Sequence, residues 1–352
     1  MTATSKNIIG TDGFEFVEFA CQDPKDLAHK FSQLGFRQVG KHRSKQALLY
    51  KQNDIHFVIN YEPDSQASEF AKIHNDSANA MALRVKNVNH ALKLALERGA
   101  TQVETTVGPM ELSIPAIKGV GGSLIYLVDR YGAQNIYDVD FELDRESFDK
   151  ANGTLTFLDH LTHNLYRGNL TDMADFYEKV FEFSEAQYFK IHGVQTGLFS
   201  KAMMSSCEKI RIPLNESADE QSQIEEFLHR YNGEGIQHIA LHTDNIFKAV
   251  DVLRANGVEF QNTPDTYYED IKNRVKGHGQ NVEAMRERQI LIDGSPESGY
   301  LLQIFTQDYI GPIFFEIIQR MGNQGFGEGN FQALFESIER DQQQRGILSE
   351  TV

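Results

Sequence analysis

The chain has 352 residues, 40% of them hydrophobic, and carries 50 acidic against 34 basic side chains for a formal net charge of −16. That length supports two domains with well-buried cores, and the negative balance repels nucleic acid and anionic lipid. Cys21 and Cys207 are the only cysteines, the first seven residues lack an apolar signal core, and no run approaches the ~18 apolar residues of a membrane span, so the chain reads as a protein of the reducing cytoplasm with no membrane partner.

Along the chain, one unit recurs four times: a short strand, a polar turn, a helix of about three turns, and a stop. The first unit runs from Phe14 to Gly35, with Asp23 as helix N-cap, Pro24 at the first helical position and Gly35 as the left-handed stop. The second opens with a strand over Ala80–Val85 and continues into a helix with Val88, Ala91, Leu92 and Ala95 on one face, stopping at Gly99. The third pairs a strand over Leu158–His163 with a helix over Met173–Phe181. The fourth pairs Ile236–His242 with a helix carrying Ile246, Val250 and Leu253, stopping at Gly257.

Further strands are predicted at Ala47–Tyr50, His56–Tyr61, Gly197–Ala202, Lys209–Leu214, Gln289–Asp293, Tyr300–Thr306 and Ile313–Ile318. The polar stretch Asp144–Gly153 marks the boundary between two halves of two units each, residues 1–150 and 151–352. Paired strand-helix modules of this kind predict an α+β fold in which each half curls a sheet around a cavity. Glu216–Gln223 and Gly277–Asn281 read as exposed loops.

Three residues carry the chemistry. Glu316 lies inside the apolar run Gly311–Arg320, where an ionised carboxylate loses several kcal/mol of solvation, roughly, unless a cation compensates. A metal ion is one such cation; a paired Arg or protonation is the alternative. His160 and His238 occupy matching places on the opening strands of the third and fourth units, and His160, His238 and Glu316 follow one another at equal intervals of 78 residues. If the opening strands lie side by side, both imidazoles point into one cavity with the carboxylate, the ligand set of a facial triad that binds Fe(II) and leaves adjacent positions open. With no finger-spaced cysteine pair, structural zinc is disfavoured. His163 faces the other side of its strand, whereas His242 shares the face of His238 and competes with it. Matching the apolar patterns of the two halves puts Glu18 opposite His160, Ala80 opposite His238 and Tyr126 opposite Glu316, so the first half lacks the ligands and has a structural or interface role.

At these residues the sequence resembles the 4-hydroxyphenylpyruvate dioxygenases of the vicinal oxygen chelate superfamily. The resemblance rests on Leu158–Gly168, Arg211–Glu216, Gln223–Leu228, Asn232–His238, Pro264–Glu269, Leu301–Phe305 and Phe314–Phe331, and covers the whole second half and, more weakly, the first. It implies the vicinal oxygen chelate fold, each half a pair of βαβββ modules forming a half-open barrel, with a C-terminal helix. It also implies iron ligands at His160, His238 and Glu316, substrate-facing polar groups at Ser200, Asn215, Gln223 and Gln303, and ring-contacting aromatics at Phe305, Phe314, Phe326 and Phe331. The implied reaction converts 4-hydroxyphenylpyruvate and dioxygen to homogentisate and carbon dioxide in tyrosine and phenylalanine catabolism, with Fe(II) chelated by the 2-oxo acid. The family habit is a dimer or tetramer.

Periodicity agrees with the transfer, since Leu301, Gln303 and Phe305 share one strand face and Phe314 and Glu316 another. After Asn330, read as an N-cap, Phe331, Leu334, Phe335 and Ile338 trace an amphipathic helix. The Gly325–Gly329 turn before it allows that helix to act as a lid over the iron, or simply to dock. Two other readings stand beside this one: a 4-hydroxymandelate synthase, which oxidises the benzylic carbon, and a metal-free ligand-binding module of the same superfamily.

Overall fold

The computed structural model describes residues 7–334 apart from 106, 109, 193–196 and 221. The first half contributes strands β1 (Thr11–Ala20), β2 (Arg37–His42), β3 (Ala47–Gln52), β4 (Ile55–Asn60), β5 (Ser77–Val85), β6 (Gln102–Val103), β7 (Ala116–Lys118), β8 (Leu124–Val128) and β9 (Phe141–Leu143). The second contributes β10 (Leu158–Leu165), β11 (Ser184–His192), β12 (Gly197–Met204), β13 (Arg211–Ser217), β14 (Gly235–His242), β15 (Leu291–Ser295), β16 (Gly299–Phe305) and β17 (Phe314–Met321). The sheet orders are β6-β7-β8-β5-β1-β4-β3-β2-β9 and β11-β12-β13-β10-β14-β17-β16-β15. Apart from β9, each sheet is two four-stranded modules joined at their opening strands, β1 to β5 and β10 to β14, both antiparallel. The four sequence units are therefore four βαβββ modules, and the opening strands do lie side by side.

Local chemistry explains the helix ends. Asp23 accepts from Lys25 N at the start of helix Pro24–Gln33, and Asn87 and Asn245 do the same three residues on for Val88–Glu97 and Ile246–Ala255. Gly35, Gly99 and Gly257 have φ of +86°, +98° and +90°, the left-handed stop predicted for units one, two and four. In the third unit Glu182 takes that conformation after helix Leu170–Phe181, without a glycine. Each helix lays an apolar stripe on its sheet, and one continuous core runs through both halves, with Phe57 and Phe315 rings 6.0 Å apart across them.

Three details differ from the sequence reading. The polar Asp144–Gly153 stretch contains a short helix, Arg145–Asp149, and the chain crosses between the sheets from Leu143 to Leu158. Only part of Glu216–Gln223 is loop, because β13 extends to Ser217 and a helix capped by Ser222 starts at Gln223. Asn330 is not an N-cap: it lies within a helix over 328–334, and its buried side chain is held by Tyr267 and Gln303. Phe335 and Ile338 lie outside the described residues. Among the described residues no helix is long and apolar enough to cross a membrane.

Candidate metal centre and substrate cavity

The centre is built by register. His160 on β10 faces Ala240 on β14, and Ala240 faces Glu316 on β17. Strands ~4.8 Å apart put the outer two backbones roughly 10 Å from each other. The residue between them is an alanine, which leaves room for an imidazole and a carboxylate to meet. His238, two residues before Ala240, enters the same space. His160 Nε2 lies 3.2 Å and His238 Nε2 3.4 Å from Glu316 Oε2, and the two Nε2 atoms are 3.3 Å apart.

Two β-bulges aim the histidines. Leu158 and His160 face Leu241 and Ala240, so Asp159 is an extra residue on β10; Thr162 and His163 face His238 and Ile236, so Gln237 is extra on β14. Each extra residue grips its neighbour. Asp159 Oδ1 is 2.8 Å from His160 Nδ1, and Gln237 Oε1 is 2.8 Å from His238 Nδ1. Because carboxylate and amide oxygens only accept, both Nδ1 atoms carry the proton and both Nε2 atoms are presented to the centre. Asp159 and Gln237 escaped sequence reasoning, because strict alternation turns the neighbours of a ligand away; Thr162, on the face of His160 with its Oγ1 3.0 Å from His238 Nε2, was also missed.

The electrostatics favour a cation. Burial pushes the Glu316 carboxyl up, but His160 and His238 outweigh it and bring it down to about 2. His160 is likewise pushed down by burial, yet Glu316 and Asp159 leave it raised above its ordinary value; burial wins at His238, which stays lowered despite Glu316. Asp159 is pushed up by burial and pulled well below the carboxylate range by Arg320 and His160. Glu316 Oε1 is buried with no hydrogen-bond partner among the described residues. Two imidazoles, one carboxylate and an orphaned carboxylate oxygen fit a divalent first-row cation, and ligand separations of 3.2–3.4 Å suit three bonds of ~2.1 Å from one side. The competing histidines are occupied elsewhere. His163 Nε2 meets the Tyr177 hydroxyl at 2.8 Å on the helix side, and His242 bonds Thr156 at 2.7 Å and stacks on Phe157.

Above the centre lies a cavity of about 250 Å³. Phe305, Phe314, Phe326 and Phe331 line it, as do Ser200, Asn215 and Gln223. Phe314 stacks on His238 with centroids 5.0 Å apart, and Phe326 meets His160 edge-on at 5.4 Å. Gln303 does not line the cavity. It pairs with Ile318 on β17 and is fully buried; its Oε1 accepts from Asn330 Nδ2 at 3.0 Å, while its Nε2 has no hydrogen-bond partner among the described residues.

The first half repeats the architecture without the ligands. Its register runs Phe16, Ala82, Tyr126 where the second half has His160, Ala240, Glu316, and Ala80 stands for His238. Tyr126 and Ala80 fall where the apolar patterns put them; Glu18 does not. It occupies the place of Thr162, facing Ala80, because β1 and β10 share the same bulge, at Glu15 and Asp159, and counting from it puts Phe16 opposite His160. The rings of Phe16 and Tyr126, 5.7 Å apart, occupy the place of two ligands.

A family model described as hydroxyphenylpyruvate dioxygenase, N-terminal, matches residues 5–142, and one described as the glyoxalase/bleomycin resistance protein/dioxygenase superfamily matches 157–281. The chain is 57% identical over 348 residues to a 4-hydroxyphenylpyruvate dioxygenase of Pseudomonas aeruginosa, covering 97% of both chains. The chain belongs to the 4-hydroxyphenylpyruvate dioxygenase family. It is also 57% identical over 350 residues to hemolysin VllY of Vibrio vulnificus, covering 97% of this chain and 98% of the other. A solved structure of a 4-hydroxymandelate synthase mutant from Streptomyces coelicolor superposes with a TM-score of 0.81 at 25% identity, over 95% of this chain and 99% of that one. The four-module fold is thus the vicinal oxygen chelate fold that this dioxygenase family shares with the mandelate synthase.

Proposed function

We propose that His160, His238 and Glu316 hold Fe(II) and that the cavity beside them takes 4-hydroxyphenylpyruvate and dioxygen, releasing homogentisate and carbon dioxide in the breakdown of tyrosine and phenylalanine. The convergence of three ligand atoms at the buried floor of an aromatic-walled cavity carries this reading. Bound ferrous iron supplies the unpaired electrons that let dioxygen react with a closed-shell substrate.

The chain's own residues do the positioning. Glu316 and the substrate carboxylate together neutralise the ferrous charge, and the two Nδ1 protons held by Asp159 and Gln237 keep both imidazoles in the ligating tautomer. Phe305 and Phe314 fix the ring from the sheet, while Phe326 and Phe331 close over it and exclude water. Ser200, Asn215 and Gln223, which also line the cavity, orient the substrate. Gln303 acts through Asn330, holding the turn that carries Phe326.

Residues 1–150 form a metal-free domain with a structural or interface role, and residues 151–352 the catalytic one. The enzyme works in the cytoplasm as a dimer or tetramer. Anaerobic Fe(II) loading with 4-hydroxyphenylpyruvate, followed by dioxygen and product identification, tests the reading. Homogentisate with one equivalent of carbon dioxide is expected; 4-hydroxymandelate would make the protein a synthase, and failure to take up iron would leave a binding module.

A further inference from the structure

Two arginines join Asp159, the partner of the ligand His160, to the C-terminal turn: Arg211, 4.0 Å from Asp159, donates to Gln324 Oε1 at 2.6 Å, and Arg320 makes the closer link. Arg320, four residues beyond Glu316 on β17, donates from Nε and Nη2 to the two oxygens of Asp159, both at 2.7 Å. Asp159 is fully buried and is the group that accepts from His160 Nδ1. The other arm of the same guanidinium points away from the centre. Nη1 donates to the carbonyls of Asn323 at 3.1 Å and Gly325 at 2.7 Å. The guanidinium carbon lies 5.9 Å from the centroid of Phe326, whose ring in turn meets His160.

A guanidinium is planar and rigid, so its two edges cannot be set independently. The edge that pins the Asp159 carboxylate, and through it the tautomer and ring plane of His160, is held in place by the edge that grips the turn. A displaced turn leaves Arg320 without its carbonyl partners and frees it to rotate off Asp159. A buried ion pair that served stability alone would not need its second edge committed to the backbone that leads into Phe326, which lines the cavity.

We propose that Arg320 is a positioning residue that couples iron binding to closure of the C-terminal turn. The inference rests on the iron reading above. Such coupling is reciprocal: if the closed turn tightens iron, bound iron must steady the turn by the same factor.

The test compares the parent with Arg320→Lys and with the double variant Asp159→Asn/Arg320→Met, which removes both charges of the pair and leaves Arg211, 4.0 Å from Asp159, with its bond to Gln324. Two quantities are read without turnover: the Fe(II) dissociation constant, by anaerobic competition with a chelator, and amide hydrogen exchange over residues 323–330 with and without Fe(II). In the parent, iron should slow exchange of the turn. In the double variant, affinity should fall by about 10–100-fold, as for other groups that orient a metal-bound histidine, and iron should no longer change turn exchange. In Arg320→Lys a cation remains beside Asp159 but the fork is lost, so affinity should fall less while the iron response of the turn disappears. The lysine variant keeps the buried carboxylate paired and guards against an unfolded double variant. A folded double variant with iron affinity within threefold of the parent, or either folded variant with a turn that still responds fully to iron, would overturn the coupling. A parent that binds no Fe(II) would instead overturn the metal site itself.

Discussion

The C-terminal turn can be broken at a single atom. Gly327 has φ of +75°, and a methyl carbon built on it falls 1.6 Å from Gln303 Oε1. Gly327→Ala therefore acts twice. The left-handed backbone costs an alanine roughly 1–2 kcal/mol. Relief of the overlap forces Gln303 off Asn330 Nδ2, and breaking that buried amide pair costs about 1–3 kcal/mol. Together these weaken the closed turn by roughly 2–5 kcal/mol, which is a ~30-fold to several-thousand-fold increase in its open fraction. Hydrogen exchange reads this directly at Asn330 N–H, which donates to Gly327 O, and at Gly329 N–H, which donates to Asp293. In a Gln303→Ala background, which already lacks both the overlap and the amide pair, Gly327→Ala should add only the backbone part, about 5–30-fold. Because Arg320 links the turn to His160, Fe(II) affinity should fall as the turn opens, by at most the roughly 10–100-fold expected of the Arg320 variants, and homogentisate formed per dioxygen consumed should fall with it. Exchange at Asn330 and Gly329 within threefold of the parent in Gly327→Ala would refute this account of the turn.

Alanine at His160, His238 or Glu316 should abolish iron retention, measured by metal content after desalting, whereas His242→Ala should retain it. His163→Ala should also retain iron but lose about 1–3 kcal/mol of stability in chemical denaturation, because the Tyr177 hydroxyl is left buried without its partner. Ala240→Leu should fill the gap between His160 and Glu316 and lower iron content with the fold intact by circular dichroism. Fe(II) affinity should rise with pH: the metal-free His160 has a raised pKa, so at acidic pH a proton occupies the imidazole that iron needs, and affinity should level off once pH exceeds that pKa. Titration showing no pH dependence on the acidic side would mean His160 is not the competing group. Phe305→Val should divert part of the product from homogentisate to benzylic or uncoupled oxidation, read by chromatography at equal iron content; homogentisate alone at the parent rate would place control of the ring elsewhere.

Much of this protein is legible in its one-dimensional pattern, because the pattern reports local physics. Apolar periodicity marks the four opening strands and their helices, glycines at 35, 99 and 257 mark left-handed stops, and a carboxylate inside the apolar run around Glu316 signals a compensating cation. The equal places of His160 and His238 in repeated units follow from the same periodicity, and the family's motifs name the remaining cavity residues. What the pattern could not supply is set by strand partners. A bulge is an offset between two strands and exists only once both are paired, so the roles of Asp159 and Gln237, and the substitution of Phe16 rather than Glu18 for His160, emerged only from the register. Gln303 and Asn330 show the same limit at longer range. Their types fit a substrate contact and a helix cap, but burial leaves each amide needing a partner, and the tertiary fold brings them to each other.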